Sequence, residues 1–263
     1  MSTPHAQAAF MVRFEWGAEG LRHLAPGSDC VVIVDILRFT TAVDIAVACR
    51  AQVFPYAFSD ESASAFAERA GAQLADGSPY SLSAVSLSTI PPGARLVLPS
   101  PNGAVLSLLA VASGIPHVFA GCLRNATAVA SAVRQIGGSV TVIAAGERWD
   151  GHDGPLRPCF EDLVGAGAII AALQPMTASP EALIAVAALR SVASTLAQQL
   201  AACSSGQELW QWGLQQDIVV AAALDASAIA PVLRAGAFVD CTPAASVGQR
   251  ELDEESSAHV ARK

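Results

Sequence analysis

Val31-Val-Ile-Val-Asp35-Ile-Leu-Arg38-Phe-Thr40-Thr41 sets an unbroken apolar run directly against an aspartate, an arginine and two hydroxyls. A strand with no polar alternation is buried on both faces, which a parallel sheet covered by helices on each side provides. Similar runs recur at residues 52–56, 95–98, 117–120 and 140–144. Alanine-rich stretches with helical character separate or follow them at 40–49, 61–70, 104–112, 126–136 and 160–173. Alternation of this kind predicts an α/β fold, a three-layer α/β/α arrangement around a largely parallel or mixed sheet.

Beyond Pro175 the pattern becomes helical. Ser179-Pro180-Glu181 opens a helix with serine at the N-cap and proline at the first helical position, and that helix is expected to run to about residue 202. Ser205-Gly-Gln-Glu208 matches a capping box, with a further helix beginning near Asp217. Residues 229–233 and 237–239, separated by Arg234-Ala-Gly236, read as a small hairpin. The expected organisation is an α/β core over 1–174 carrying the site motifs, a helical C-terminal subdomain over 175–241 packed on it, and a disordered tail over 242–263, which lacks any apolar period.

The chain has 263 residues, 52% of them hydrophobic, enough for a sizeable core. Its 15 basic and 23 acidic residues leave a net charge of −8, so no footprint exists for a polyanionic backbone and nucleic acid is excluded as a partner. A small anion is still accommodated, because arginines, backbone N–H groups or a metal can make a local positive pocket. Six scattered cysteines without a C-x-x-C pair read as reduced thiols rather than zinc ligands. No signal-peptide pattern is present at the N-terminus, and prolines interrupt the uncharged stretch 96–123, so a cytoplasmic protein without membrane contact is expected. Assembly into a homo-oligomer is left open.

In parallel sheets, ligands bind at the carboxyl ends of strands. Asp35 stands at such an end, where it can hold a metal or position a water; Arg38 offers a bidentate fork for phosphate or sulfonate oxygens, and Thr40 and Thr41 add hydroxyls. The plainer alternative makes Asp35 a cap and Arg38 a solvated charge. Residues 96–103 and 118–125 share a strand, turn, asparagine, helix plan, so Asn102 with Ser100 and Gly103, and separately Asn125, are candidate anion sites at helix N-termini, with simple capping as the alternative. Gly146-Glu147-Arg148 ends another strand, and Glu161-Asp162 follows at a helix start. Together with Asp35, these carboxylates suit Mg²⁺, which prefers oxygen ligands, although acids in a first helical turn also offset the helix dipole without any metal. The expected metal ligands are Asp35, Glu147, Glu161 and Asp162, with Arg148 holding a second acidic group of the substrate.

No G-x-S-x-G elbow, phosphate loop or H-E-x-x-H helix is present. An aspartate after a hydrophobic strand also suggests a haloacid-dehalogenase-like aspartyl-phosphate route, but the second aspartate of that mechanism is replaced by Leu37.

Taken in order, residues 32–41, 96–103, 121–126, 146–148 with 161–167, 205–209 with Asp217, and 232–236 resemble the 2-phosphosulfolactate phosphatase family over most of the chain. The resemblance implies a three-layer α/β/α phosphatase that uses Mg²⁺ to hydrolyse 2-phosphosulfolactate to sulfolactate and phosphate, as in coenzyme M biosynthesis. Asp35 would bind the metal or position the water, and Arg38, Asn102, Gly103 and Asn125 would cradle the phosphate or sulfonate. The rival from another class is a non-catalytic small-anion-binding protein on the same fold. It has no use for carboxylates beside an anion unless a cation sits between them.

Overall fold

The computed structural model of the protein describes residues 4–149, 154–174 and 176–241. Its strands are β1 (Val12–Trp16), β2 (Cys30–Val34), β3 (Gln52–Tyr56), β4 (Gln73–Leu74), β5 (Arg95–Pro99), β6 (His117–Gly121), β7 (Val140–Ala144), β8 (Glu147–Arg148), β9 (Leu156–Arg157), β10 (Pro231–Arg234) and β11 (Ala237–Asp240). Its helices are α1 (Gly17–Leu24), α2 (Phe39–Ala48), α3 (Glu61–Ala70), α4 (Ala84–Leu87), α5 (Gly103–Ala112), α6 (Ala126–Ile136), α7 (Phe160–Ala172), α8 (Pro180–Val192), α9 (Leu196–Ala202), α10 (Ser204–Gln211) and α11 (Gln215–Ala221). The predicted tail over 242–263 lies outside the described residues.

Nine strands form one sheet in the order β1-β7-β2-β6-β10-β11-β3-β5-β4. The block β1-β7-β2-β6 is parallel, as is the block β3-β5-β4. This is the predicted α/β class. β2 explains why its sequence shows no alternation: Cys30, Val32 and Val34 enter the cluster formed with α6, α7 and α8, while Val31 and Ile33 enter the cluster formed with α1 and α5. All five residues are buried.

The C-terminal hairpin starts at Pro231, two residues later than predicted, and it is the antiparallel bridge between the two parallel blocks. Ala235 and Gly236 both have positive φ, the requirement of a two-residue turn whose twist matches the strands. Phe238 on β11 is fully buried edge-on to Phe39 of α2, ring centroids 6.2 Å apart. Burying a side chain of that size contributes about 1.5–3 kcal/mol, so the hairpin holds α2 in place.

Ser179 caps α8 as predicted, its hydroxyl accepting from the Ala182 N–H. The expected continuous helix to residue 202 is broken by a 3₁₀ turn at Ala193–Thr195. Pro180–Ala202 is long and apolar enough, by length and composition alone, to cross a membrane, but the break and the burial of Ala182, Ala185, Leu189 and Leu200 in the main core make it part of the globule. The predicted capping box at Ser205 is corrected: the cap is Cys203, whose Sγ accepts from the Gly206 N–H, and Ser205 lies inside α10. All six cysteines are free thiols.

Candidate active site

A cleft of about 240 Å³ opens where the ends of β2 and β5 meet β8 and the C-terminal helices. Asp35 and Arg38 come from the β2–α2 turn, Ser100, Pro101 and Asn102 from the β5–α5 turn, Glu147 from β8, and Ser205, Glu208, Leu209 and Trp212 from α10 and the residue after it. A larger groove, about 390 Å³, runs along α6, but its one carboxylate, Asp225, is already committed to the backbone N–H and hydroxyl of Thr127.

Asp35 lines the cleft from the end of β2. Its Oδ1 accepts from the Phe39 N–H at 3.2 Å and its Oδ2 from the Gly103 N–H at 2.8 Å, so one carboxylate caps both α2 and α5. The Ser100 hydroxyl adds a longer contact of 3.5 Å to Oδ2. Burial pushes the Asp35 carboxyl upward in pKa; the Phe39 and Gly103 N–H groups pull it back, Glu161 raises it further and Arg38 lowers it. Gly103 cannot be larger: a Cβ there would stand 2.7 Å from Asp35 Oδ2 and would collide with the Phe39 ring.

Glu147 is another acid of the cleft. Asn102 Nδ2 donates to its Oε2 at 2.9 Å. Burial first, and then the charge of Asp35, push Glu147 up to about 7. Asn102 occupies the N-cap position of α5 but makes no capping bond with its side chain, so its side chain serves Glu147 instead. Half-buried Arg38 has its guanidinium 5.9 Å from the Trp212 ring, within cation–π range. Burial lowers its pKa, and the charges of Asp217, Asp35 and Glu147, in that order, restore it. The Leu37–Arg38 peptide is cis.

The predicted residues therefore divide. Asp35, Arg38, Ser100, Asn102, Gly103 and Glu147 are brought together. Thr40 and Thr41 are turned inward: the Thr40 hydroxyl donates to the Asp35 carbonyl and accepts from its N–H, and the Thr41 hydroxyl donates to the Ile36 carbonyl. Asn125 is fully buried, its Oδ1 accepting from the Cys122 N–H and its Nδ2 donating to the Ala120 carbonyl, so it ties its own turn and does not face the cleft. Arg148 is exposed and donates to the Gly154 carbonyl. Buried backbone groups need partners, and these side chains supply them.

The four carboxylates expected to hold a metal divide in the same way. Asp162 spends Oδ1 on the Ile36 N–H and Oδ2 on the Gly146 N–H, both at 2.8 Å, and so clamps the turns after β2 and β7 to each other. Burial, followed by the charges of Glu161 and Asp35, raises its pKa well above the ordinary carboxylate value. Glu161 is buried against the Cys203 thiol, 3.4 Å away. Among the described residues no three such side chains converge on one point. Of those four, Asp35 and Glu147 line the cleft, which Glu208 of α10 also borders.

Three contributors had no site role assigned from the sequence, although Asp217 stands among the stretches of the family resemblance. Trp212 covers Arg38 from an otherwise polar stretch, and its only signal was a second large aromatic two residues after Trp210. Asp217, 2% exposed, accepts from the Ser83 hydroxyl and the Val85 N–H through Oδ1, while Oδ2 has no hydrogen-bond partner; its charge is the largest support for protonated Arg38. Arg157 sits on β9 directly opposite Glu147.

Known proteins match this arrangement along most of its length. The model of the 2-phosphosulpholactate phosphatase family matches residues 19–236. A relative named "Probable 2-phosphosulfolactate phosphatase", from Thermosynechococcus vestitus (strain NIES-2133 / IAM M-273 / BP-1), is 30% identical over 223 residues, which cover 77% of this chain and 88% of the relative. The match takes in every cleft residue described above, and the chain belongs to the 2-phosphosulpholactate phosphatase family, and with it to the phosphoric monoester hydrolases.

Proposed function

We propose that the cleft hydrolyses 2-phosphosulfolactate to sulfolactate and phosphate, with a Mg²⁺ ion held by Asp35 and Glu147. The observation that carries this reading is the presence of two carboxylates, both pushed toward protonation by burial and Glu147 further by the charge of Asp35, in a cleft shared with Arg38. Two acids facing an anion site gain from their charge only if a cation joins them. The donor set fits Mg²⁺, which binds through one or two carboxylates, substrate phosphate oxygens and water rather than an all-protein cage. Asn102 holds Glu147 through Oε2, which leaves Oε1 without a protein donor among the described residues. When bound, the ion would neutralise charge on the phosphoryl oxygens.

The chain's own residues do the rest. Arg38, stacked near Trp212 and supported by Asp217, presents a planar fork to two phosphoryl oxygens. Asp162 fixes the distance between the turns that carry Asp35 and Glu147. Ser100 and the N-terminus of α5 border the same space and favour negative charge there. Leu37, where a second aspartate would serve an aspartyl-phosphate route, is apolar and lines the wall.

The test is phosphate release from 2-phosphosulfolactate by the purified full chain, before and after exhaustive chelation, with Mg²⁺ then added back. Release should vanish on chelation and return with the ion. Full release in the chelator contradicts the metal, and no release under any condition favours the silent anion binder.

A further inference from the structure

Resting on that reading of the cleft, we propose that Arg157 forms a second anion subsite, which takes a carboxylate or sulfonate of the substrate while Arg38 takes the phosphoryl group. In the β8–β9 ladder Glu147 pairs directly with Arg157, and residues directly opposed in an antiparallel pair project to the same side. Glu147 lines the cleft, so Arg157 stands on the cleft side, whereas Arg148, the sequence's candidate for this role, alternates to the other. Arg157 Nη2 lies 3.5 Å from the hydroxyl of Ser205, itself a cleft residue. The guanidinium is 5.7 Å from the Trp149 ring, a contact that holds a planar group without consuming its N–H donors.

Arg157 takes part in neither of the two ion pairs formed among the described residues, Arg22 with Glu19 and Arg124 with Asp44. A half-buried fork beside an anion cleft, with one long hydroxyl contact and no carboxylate within ion-pair distance, has donors to offer to a ligand, although its charge also holds the opposed Glu147 down. It also borders a neighbouring cavity of about 400 Å³ with Pro158, Phe160, Gln199 and Cys203, which gives room for the non-reacting end of a branched acid. Glu161 lines that cavity too, so the second anion belongs at the Arg157 end, next to Ser205.

The experiment compares 2-phospholactate with isopropyl phosphate, two esters that differ by one carboxylate, in the full chain with Mg²⁺. The readout is the ratio of their kcat/KM values. The wild-type ratio should strongly favour 2-phospholactate, and in Arg157→Ala it should fall by about tenfold to a hundredfold, the scale of one lost charge-assisted contact, with partial recovery in Arg157→Lys. Equal losses on both esters would assign Arg157 to the fold or the phosphoryl group and overturn the subsite. A wild-type ratio near one, or a fall in the ratio on Arg148→Ala instead, overturns it while leaving the phosphatase reading intact. Turnover of neither ester, with phosphate still released from 2-phosphosulfolactate, places the requirement on the sulfonate and overturns the carboxylate form of the subsite. Failure on all three esters removes the phosphatase reading itself and the subsite with it.

Discussion

Asp44 and Asp35 are both buried aspartates, nine residues apart, yet their surroundings have nothing in common. Asp44 is saturated: Arg124 Nε donates to Oδ2 at 3.0 Å and the Ser227 hydroxyl to Oδ1 at 2.7 Å. Arg124 in turn reaches the Val220 carbonyl, so one charge pair ties α2, the turn before α6, α11 and the segment leading into the hairpin. Burial raises the Asp44 pKa, and Ser227 and Arg124 pull it down again. Asp35 receives backbone N–H groups but no ion pair, and it shares an open cleft with a second acid. A saturated buried charge holds a fold together, and one left facing a cavity is where a ligand completes the structure.

Mutating both aspartates should separate the two roles most sharply. Asp35→Asn should lower kcat by about a hundredfold or more, the scale of losing one electrostatic catalytic group. It also exchanges one helix-capping acceptor for a donor, and so should cost roughly 1–3 kcal/mol of stability. Asp44→Asn should cost about 3 kcal/mol by leaving Arg124 uncompensated, while turnover per folded molecule stays within about twofold of wild type. Measuring kcat and Tm of both variants side by side breaks the comparison if Asp44→Asn loses turnover or Asp35→Asn keeps it.

Gly103→Ala sharpens it at the same carboxylate without touching its charge. The added methyl must displace either the Phe39 ring or Asp35 Oδ2. Overpacking of this kind costs about 1–3 kcal/mol, and a displaced Asp35 should lower kcat/KM by about tenfold or more. Normal kinetics in that variant would mean that the position of Asp35 does not matter.

The smallest effect is in the pH dependence of stability. Asp35, Asp162 and Glu147 all have folded pKa values above their ordinary ones, Glu147 moving from 4.5 to about 7. Each stabilises the fold fully below its unfolded pKa and loses that contribution as pH rises through its folded value. The Tm of the metal-free protein should therefore fall between about pH 5 and pH 8. Mg²⁺ should raise it more at pH 8 than at pH 5, because the ion binds the ionised pair. A Tm that rises across this window without metal would contradict the environment described for these acids.

Much of this was legible in the sequence, for local reasons. α3 and α6 fall on their predicted residues, and α3 shows why: Asp60 accepts from the Ser62 and Ala63 N–H groups at one end, and Gly71 takes a left-handed conformation at the other. β2 was readable because two-sided burial removes alternation. β1 was missed because Val12-Arg-Phe-Glu-Trp16 carries two charges, as an edge strand does. The bridging position of the hairpin depends on partners more than a hundred residues away, on which its own sequence is silent.

The cleft divides by the same rule. Asp35, Arg38, Asn102 and Glu147 stand at strand ends, where polar residues after an apolar run announce themselves. Whether such a residue turns outward to a ligand or inward to a bare backbone group is decided by neighbours that sequence does not name, and Thr40, Asn125 and Asp162 turned inward. Arg157, Asp217 and Trp212 needed the register of β8 and β9 and the packing of α10 and α11.

The most direct test of Asp35 and Glu147 as a cation site is a calorimetric titration of Mg²⁺ into metal-free wild type and into the Asp35→Asn, Glu147→Gln double variant, at pH 8 with far-ultraviolet dichroism confirming that both are folded. One saturable site in the wild type, absent from the double variant, is the expected result. Equal Mg²⁺ binding by both proteins would contradict it.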